Sequence, residues 1–111
     1  MVSDQKFFSY LGFAARSRNL VTGYNTCSLM IERRRLKLLI LTEDLVDNTI
    51  KKMLQLCRKY KIEYRIFGRS DSLAHATGKP GKGIFGITDS HFAEIICKEI
   101  DLIQSEREVF E

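Results

Sequence analysis

The stretch Lys37-Leu38-Leu39-Ile40-Leu41-Thr42-Glu43-Asp44 decides the fold class. A strand with one wet face alternates apolar and polar side chains, whereas this run is apolar at every position from Leu38 to Leu41. That pattern predicts a strand covered on both faces, so helices must flank it. Downstream, Ile50, Met53, Leu54 and Cys57 recur at i, i+3, i+4 and i+7, with Lys51, Lys52, Gln55, Arg58 and Lys59 on the other side. This is the signature of an amphipathic helix packed on the strand. Glu43-Asp44 lies between the two, where a carboxylate caps the next helix and is stabilised by its N-terminal dipole.

Working outward, helical and strand-like patterns alternate with no Pro- or Ser-rich linker, no fixed repeat and no low-complexity tract. A first helix is expected from Ser3, as N-cap, to Ala15, with Phe7, Phe8, Leu11, Ala14 and Ala15 on one side. A short apolar step at Leu20-Val21 leads to Thr22, which is expected to cap a second helix reaching Arg34. Tyr64 to Phe67 reads as a strand, Ser70 to Thr77 as a brief helix closed by Gly78, and Ile84 to Thr88 as another strand. Asp89 or Ser90 opens a last helix, after which Ser105 to Glu111 reads as a frayed acidic end. The order of elements is that of an α/β domain over residues 1–104, with an acidic C-terminal tail at 105–111.

Composition bounds the function less tightly than the charge distribution does. The 111 residues are 44% apolar and 29% charged, ordinary for one globular domain. The formal charge of +4 conceals an asymmetry: residues 1–82 carry 16 basic and 7 acidic side chains, whereas residues 83–111 carry 2 and 7. A basic body of this kind favours a polyanionic partner. No apolar run approaches the roughly 20 residues of a membrane helix. Cys27, Cys57 and Cys97 are odd in number, widely spaced and set on apolar stripes, which excludes a disulfide framework and a zinc site and implies a reducing cytoplasm.

Several motifs are weaker than they look. Gly81-Lys82-Gly83-Ile84-Phe85-Gly86 spells G-x-G-x-x-G, but its glycines run into a strand instead of opening a helix, the reverse of a dinucleotide site. Gly78-Lys79-Pro80-Gly81-Lys82-Gly83 fails as a P-loop because neither lysine precedes Ser or Thr. It remains a cationic loop with exposed backbone, suited to phosphates or flipped-out bases. His75 and His91 have no nucleophile or ligand partner in sequence, and Glu43-Asp44 lacks a third group for catalysis. Arg33-Arg34-Arg35 suits a helix C-terminus; as a nucleic-acid contact it would lie roughly 15 Å along the helix from Asn25, able to extend a footprint but not to centre one, and the basic side of the 50–61 helix suits a solvated surface.

Four blocks in order carry a family likeness. They are Leu20-Val21-Thr22-Gly23-x-Asn25, then Lys37 to Asp44, then Leu73-x-x-Ala76-x-Gly78-Lys79, then Gly86-Ile87-Thr88-Asp89-x-x-Phe92-Ala93. Over residues 5–103 the chain resembles the kink-turn RNA-binding ribosomal protein superfamily, nearest to its small bacterial YlxQ-type branch. The resemblance implies a three-layer α/β/α sandwich with a mixed four-stranded sheet. It also implies RNA contacts from three segments: Thr22, Gly23, Tyr24, Asn25 and Thr26; Glu43 and Asp44; and Gly78, Lys79, Pro80, Gly81, Lys82 and Gly83. For the last loop to reach the second helix, strand 84–88 must run antiparallel to strand 38–42. In the resembled kink-turn readers the Asn is followed by Glu and, three residues on, by Lys; here those positions hold Thr26 and Leu29, and Pro80-Gly81 replaces apolar loop residues. The departures point to readout by shape and charge.

The resulting expectation is a cytoplasmic, monomeric RNA-binding protein, not an enzyme, with no catalytic residues, cofactor or metal. Its expected partner is structured RNA, ribosomal RNA foremost, with ribosomal proteins as candidate neighbours and neither DNA nor membrane. The rival reading is a protein-interaction adaptor on the same scaffold, docking through the basic 50–61 helix or the acidic tail. An RNA methyltransferase fragment is a third, but the chain has no room for the half that would hold a cofactor.

Overall fold

Alternation within the central strand builds two cores at once. In the computed structural model, which describes residues 4–110, β2 (Leu38–Leu41) is buried at every position. Leu38 and Ile40 point into one apolar cluster, with Phe7, Leu11, Phe67, Leu73, Phe85, Ile87, Ile96 and Ile100. Leu39 and Leu41 point into the other, with Cys27, Ile31, Leu36, Met53, Cys57 and Ile84. The first cluster is roofed by α1 (Gln5–Arg16), α4 (Ser70–Thr77) and α5 (Ser90–Phe110), the second by α2 (Tyr24–Glu32) and α3 (Asp47–Tyr60). The two-sided burial predicted from the apolar run is therefore the three-layer α/β/α sandwich, as expected.

The sheet has the order β1-β4-β2-β3, with β1 at Leu20–Thr22, β3 at Glu63–Ile66 and β4 at Ile84–Ile87. The β2–β3 pair is parallel, joined by α3, in the register Leu38 to Glu63 through Leu41 to Ile66. β4 is antiparallel to both its neighbours, with Leu41 opposite Ile84 and Thr22 opposite Phe85. The sheet is thus mixed, and the required antiparallel direction of β4 is present. Gly86 is a packing requirement: a Cβ there would collide with Leu36 Cδ1 and crowd Val21 and Cys27 Sγ, so only glycine lets α2 approach β4.

Several local expectations need correction. Ser3 lies outside the described residues, and Asp4 occupies the N-cap of α1 without a side-chain bond. Thr22 does not cap α2; it closes β1, and Gly23 is the N-cap. α2 ends at Glu32, because Arg34 turns left-handed at φ 57°. The frayed end from Ser105 is also overturned, since α5 continues to Phe110. The extra turns have anchors: Gln104 donates to the Ile66 carbonyl at 3.0 Å, and Arg107 lies over the Phe67 ring and 3.8 Å from Asp4. Further down α5, Asp101 accepts two hydrogen bonds from Arg65 of β3, at 2.7 and 3.0 Å. Gly78 closes α4 at φ 71°, the left-handed position anticipated for it.

Candidate functional site

Three segments meet at one end of the sheet because β4 opposes β1 and β2. The Gly23 amide donates to the Ile84 carbonyl at 3.0 Å, joining the start of α2 to the start of β4. The buried Thr42 donates to the Gly83 carbonyl from its amide at 3.0 Å and from its hydroxyl at 3.3 Å. The Glu43 amide donates to Gly68 at 2.8 Å, bringing in the approach to α4. Gly83 is held so closely that a Cβ would lie 2.7 Å from Leu45 Cδ2 and 2.8 Å from Thr42 Oγ1. Across the junction, Lys82 Nζ lies 3.7 Å from where a Cβ on Gly23 would stand.

The start of α2 is open. Gly23 has φ 94° and ψ 158°, a conformation that essentially only glycine adopts without strain, and no side chain caps the helix. The first helical bond runs from the Cys27 amide to Gly23, which leaves the amides of Tyr24, Asn25 and Thr26 ahead of the ladder. All three residues are exposed. Unbonded amides, the positive end of the helix dipole and the Lys82 ammonium together favour an anion. Lys79 is exposed too, but its amide is tied to Ala74 at the end of α4. Pro80 and Gly81 are exposed; at Gly81, φ 75° demands glycine while nothing stands within 4 Å of a Cβ.

Asp44 does not cap the following helix. α3 begins after Val46 with no side-chain cap, and Asp44 instead accepts from the Ser70 amide at 3.1 Å and the Ser70 hydroxyl at 2.6 Å, at the start of α4. The Ser70 hydroxyl bond holds the Asp44 carboxyl down at about 2. Arg69 stands 4.0 Å away and is largely exposed. Two residues that sequence reasoning passed over therefore border the junction: Arg69, whose cation offsets Asp44, and Val46, 68% exposed at the turn after β2. Val46 had one usable signal, an apolar side chain stranded among Glu43, Asp44, Asp47 and Asn48. Arg69 had none, since its neighbour Asp44 is remote in sequence.

Other groups fall away from the junction. His75 and His91 are exposed on α4 and α5. Cys27 and Cys57 are buried free thiols whose pKa values burial raises to about 12 and about 11, so both act as apolar packing groups. Gly81 to Gly86 runs into β4, not into a helix. Among the described residues no group of three or more His, Cys, Asp and Glu could hold a metal ion, and no helix is long and apolar enough to cross a membrane.

An open mixed sheet between two helical layers, with three loops gathered at the start of α2, defines a class. Residues 5–100 match the ribosomal protein L7Ae/L30e/S12e/Gadd45 family, and the chain belongs to that family. Among relatives, the RNA-binding protein YlxQ of Bacillus subtilis is 33% identical over 100 residues, covering 90% of this chain and all of the relative. Its namesake from Enterococcus faecium is 30% identical over 91 residues, covering 81% of this chain and 86% of the relative. A solved structure of a protein of unknown function from Bacillus halodurans superposes with a TM-score of 0.84 at 33% identity, covering 86% of this chain and 97% of that one. The 15.5kD RNA binding protein of Giardia lamblia shares the fold, with a TM-score of 0.74 at 13% identity over 92% of this chain and 88% of that one.

Proposed function

We propose that this chain binds structured RNA, without catalytic chemistry, through the junction of α2, the turn after β2 and the loop before β4. The observation that carries the reading is the pairing of an uncapped helix start at Gly23 with Lys82 reaching over it. A phosphate seated there receives helix amides and a cation at once, and Gly23 lets the RNA backbone come close. Asn25, one residue into the helix, offers a donor and an acceptor to a purine edge. Thr26 adds a hydroxyl, and Lys79 and Arg69 enlarge the positive field beside the exposed Asp44. Membership of the family and two relatives described as RNA-binding proteins support the same reading.

The RNA is an internal-loop fold of the kink-turn kind, in ribosomal RNA or another cytoplasmic ribonucleoprotein. With Thr26 and Leu29 at two contact positions, discrimination rests on backbone shape and charge more than on base edges. The test is a salt series of binding to a folded RNA with an internal loop. The logarithm of affinity should fall linearly with the logarithm of salt, and Asn25→Ala combined with Lys82→Ala should lower affinity at least tenfold and flatten the slope by about 1. A flat salt dependence, or full affinity in the double variant, would refute the proposal.

A further inference from the structure

The cations that this junction does not use are gathered at the other end of α2. Arg33, Arg34 and Arg35 follow the last turn of α2, and Arg58, Lys59 and Lys61 lie at the end of α3. The two helix ends abut: the Arg34 guanidinium lies 5.4 Å from the centre of the Tyr60 ring, and Lys59 Nζ lies 5.6 Å from it. All six cations are exposed, and among the described residues none of them forms an ion pair. Cations do stabilise helix C-termini, but stability is a poor account of which residues stand here. Arg34 and Lys61 hold left-handed backbone, φ 57° and 56°, where glycine is the low-strain choice. Every left-handed residue other than glycine among the described ones is a cation, Arg18, Arg34 and Lys61, and two of the three stand in this cluster.

Resting on the RNA-binding reading above, we propose that this basic surface is a second RNA contact, gripping the phosphate backbone of a stem that extends from the RNA seated at Gly23. The 9 residues of α2 separate the two ends by about 13 Å. Asn25, Leu29 and Arg33, spaced four apart and all exposed, mark the line between them. Among the described residues none of the exposed large apolar side chains lies within the cluster, and Leu29, a turn back along α2, is the nearest on these two helices. The Tyr60 ring is half-buried with Arg34 and Lys59 over it, and the six cations carry the uncompensated charge that a polyanion neutralises. A guanidinium resting on Tyr60 also keeps its planar fork ordered for a phosphate.

The experiment uses the full chain and two RNAs that share one internal loop, one with a long flanking stem and one with that stem cut short. Arg34→Gly with Lys61→Gly should lower affinity for the long-stem RNA about tenfold and flatten its salt slope by about 2, one unit per lost phosphate contact, while binding to the short-stem RNA stays as in the parent and the thermal midpoint does not fall below it. Arg33→Glu with Lys59→Glu should act in the same direction and more strongly. Unchanged affinity for the long-stem RNA, or equal losses on both RNAs, overturns the proposal. So does loss of polyglutamate binding with RNA binding intact, which assigns the surface to an acidic protein. Asn25→Ala with Lys82→Ala should weaken both RNAs; if it weakens neither while the glycine pair still weakens the long-stem RNA, the junction at Gly23 fails and the basic surface stands. A parent that binds neither RNA overturns both.

Discussion

The two ends of α2 achieve a positive surface by opposite means. At the start, the backbone does most of the work: a glycine at φ 94° with one lysine beside it, and amides ahead of the helical ladder. At the far end, side chains do it: six exposed cations, two of them over the Tyr60 ring and two on left-handed backbone. The lesson is that geometry can be specific where charge is sparse, whereas dense charge needs little geometry. Damage should therefore be conformational at one end and electrostatic at the other.

The largest effect is expected from Gly23→Val, which should destabilise the fold by about 1–3 kcal/mol, because φ 94° with ψ 158° excludes a branched side chain. Equilibrium unfolding would register the loss, and RNA binding at the junction should disappear with it. Gly83→Ala comes next. Its Cβ must push aside Leu45 and the Thr42 hydroxyl, which should cost about 1 kcal/mol and move the Lys82 loop, measurable as a lower unfolding midpoint and weaker RNA binding. Leu29→Lys sharpens the contrast from the other side by adding charge to the line between the two ends. It should leave stability within about 0.5 kcal/mol while steepening the salt dependence of RNA binding by about one unit.

The smallest expected effect belongs to Asp44. Its folded value of about 2 lies below the ordinary 3.8, so its contribution to stability is complete above the ordinary value and drains away as pH falls from about 4 to about 2. Unfolding midpoints of Asp44→Asn measured from pH 2 to 7 should be lower than the parent's at neutral pH and should converge on it in acid. Parallel curves across that range would show that the Ser70 contact carries no such linkage.

What could be read in advance follows from where the determinants lie. β2 was legible because burial on both faces leaves a continuous apolar run, and the direction of β4 followed from asking how residues 79–83 could reach Gly23. Local conformations were legible where one residue type decides them, as at Gly78. The misreadings share a cause, a partner distant in sequence. Asp44 was expected to cap α3 but binds Ser70, and the end of α5 was expected to fray but is held through Gln104 and Arg107. Thr22 has the chemistry of a cap, yet pairing with Phe85 of β4 draws it into a strand. In sequence Arg33–Arg35 read first as helix-end charge, able at most to extend a nucleic-acid footprint, and the basic side of α3 as solvated charge; Tyr60, with Arg34 and Lys59 over its ring, joins them.

The bond between Arg65 and Asp101 has a consequence beyond fastening α5 to the sheet. β1 and β3 are the edges of the sheet, where unpaired amides and carbonyls invite another chain to add a strand. β1 limits the invitation by being 3 residues long. β3 limits it chemically, since Glu63 and Arg65 place charge along the rim, and Arg65 is held there by its partner on α5. An incoming strand would have to seat its own side chains beside that solvated charge as it gained ladder bonds. A link that serves the interior of one molecule thus also guards against runaway polymerisation between molecules.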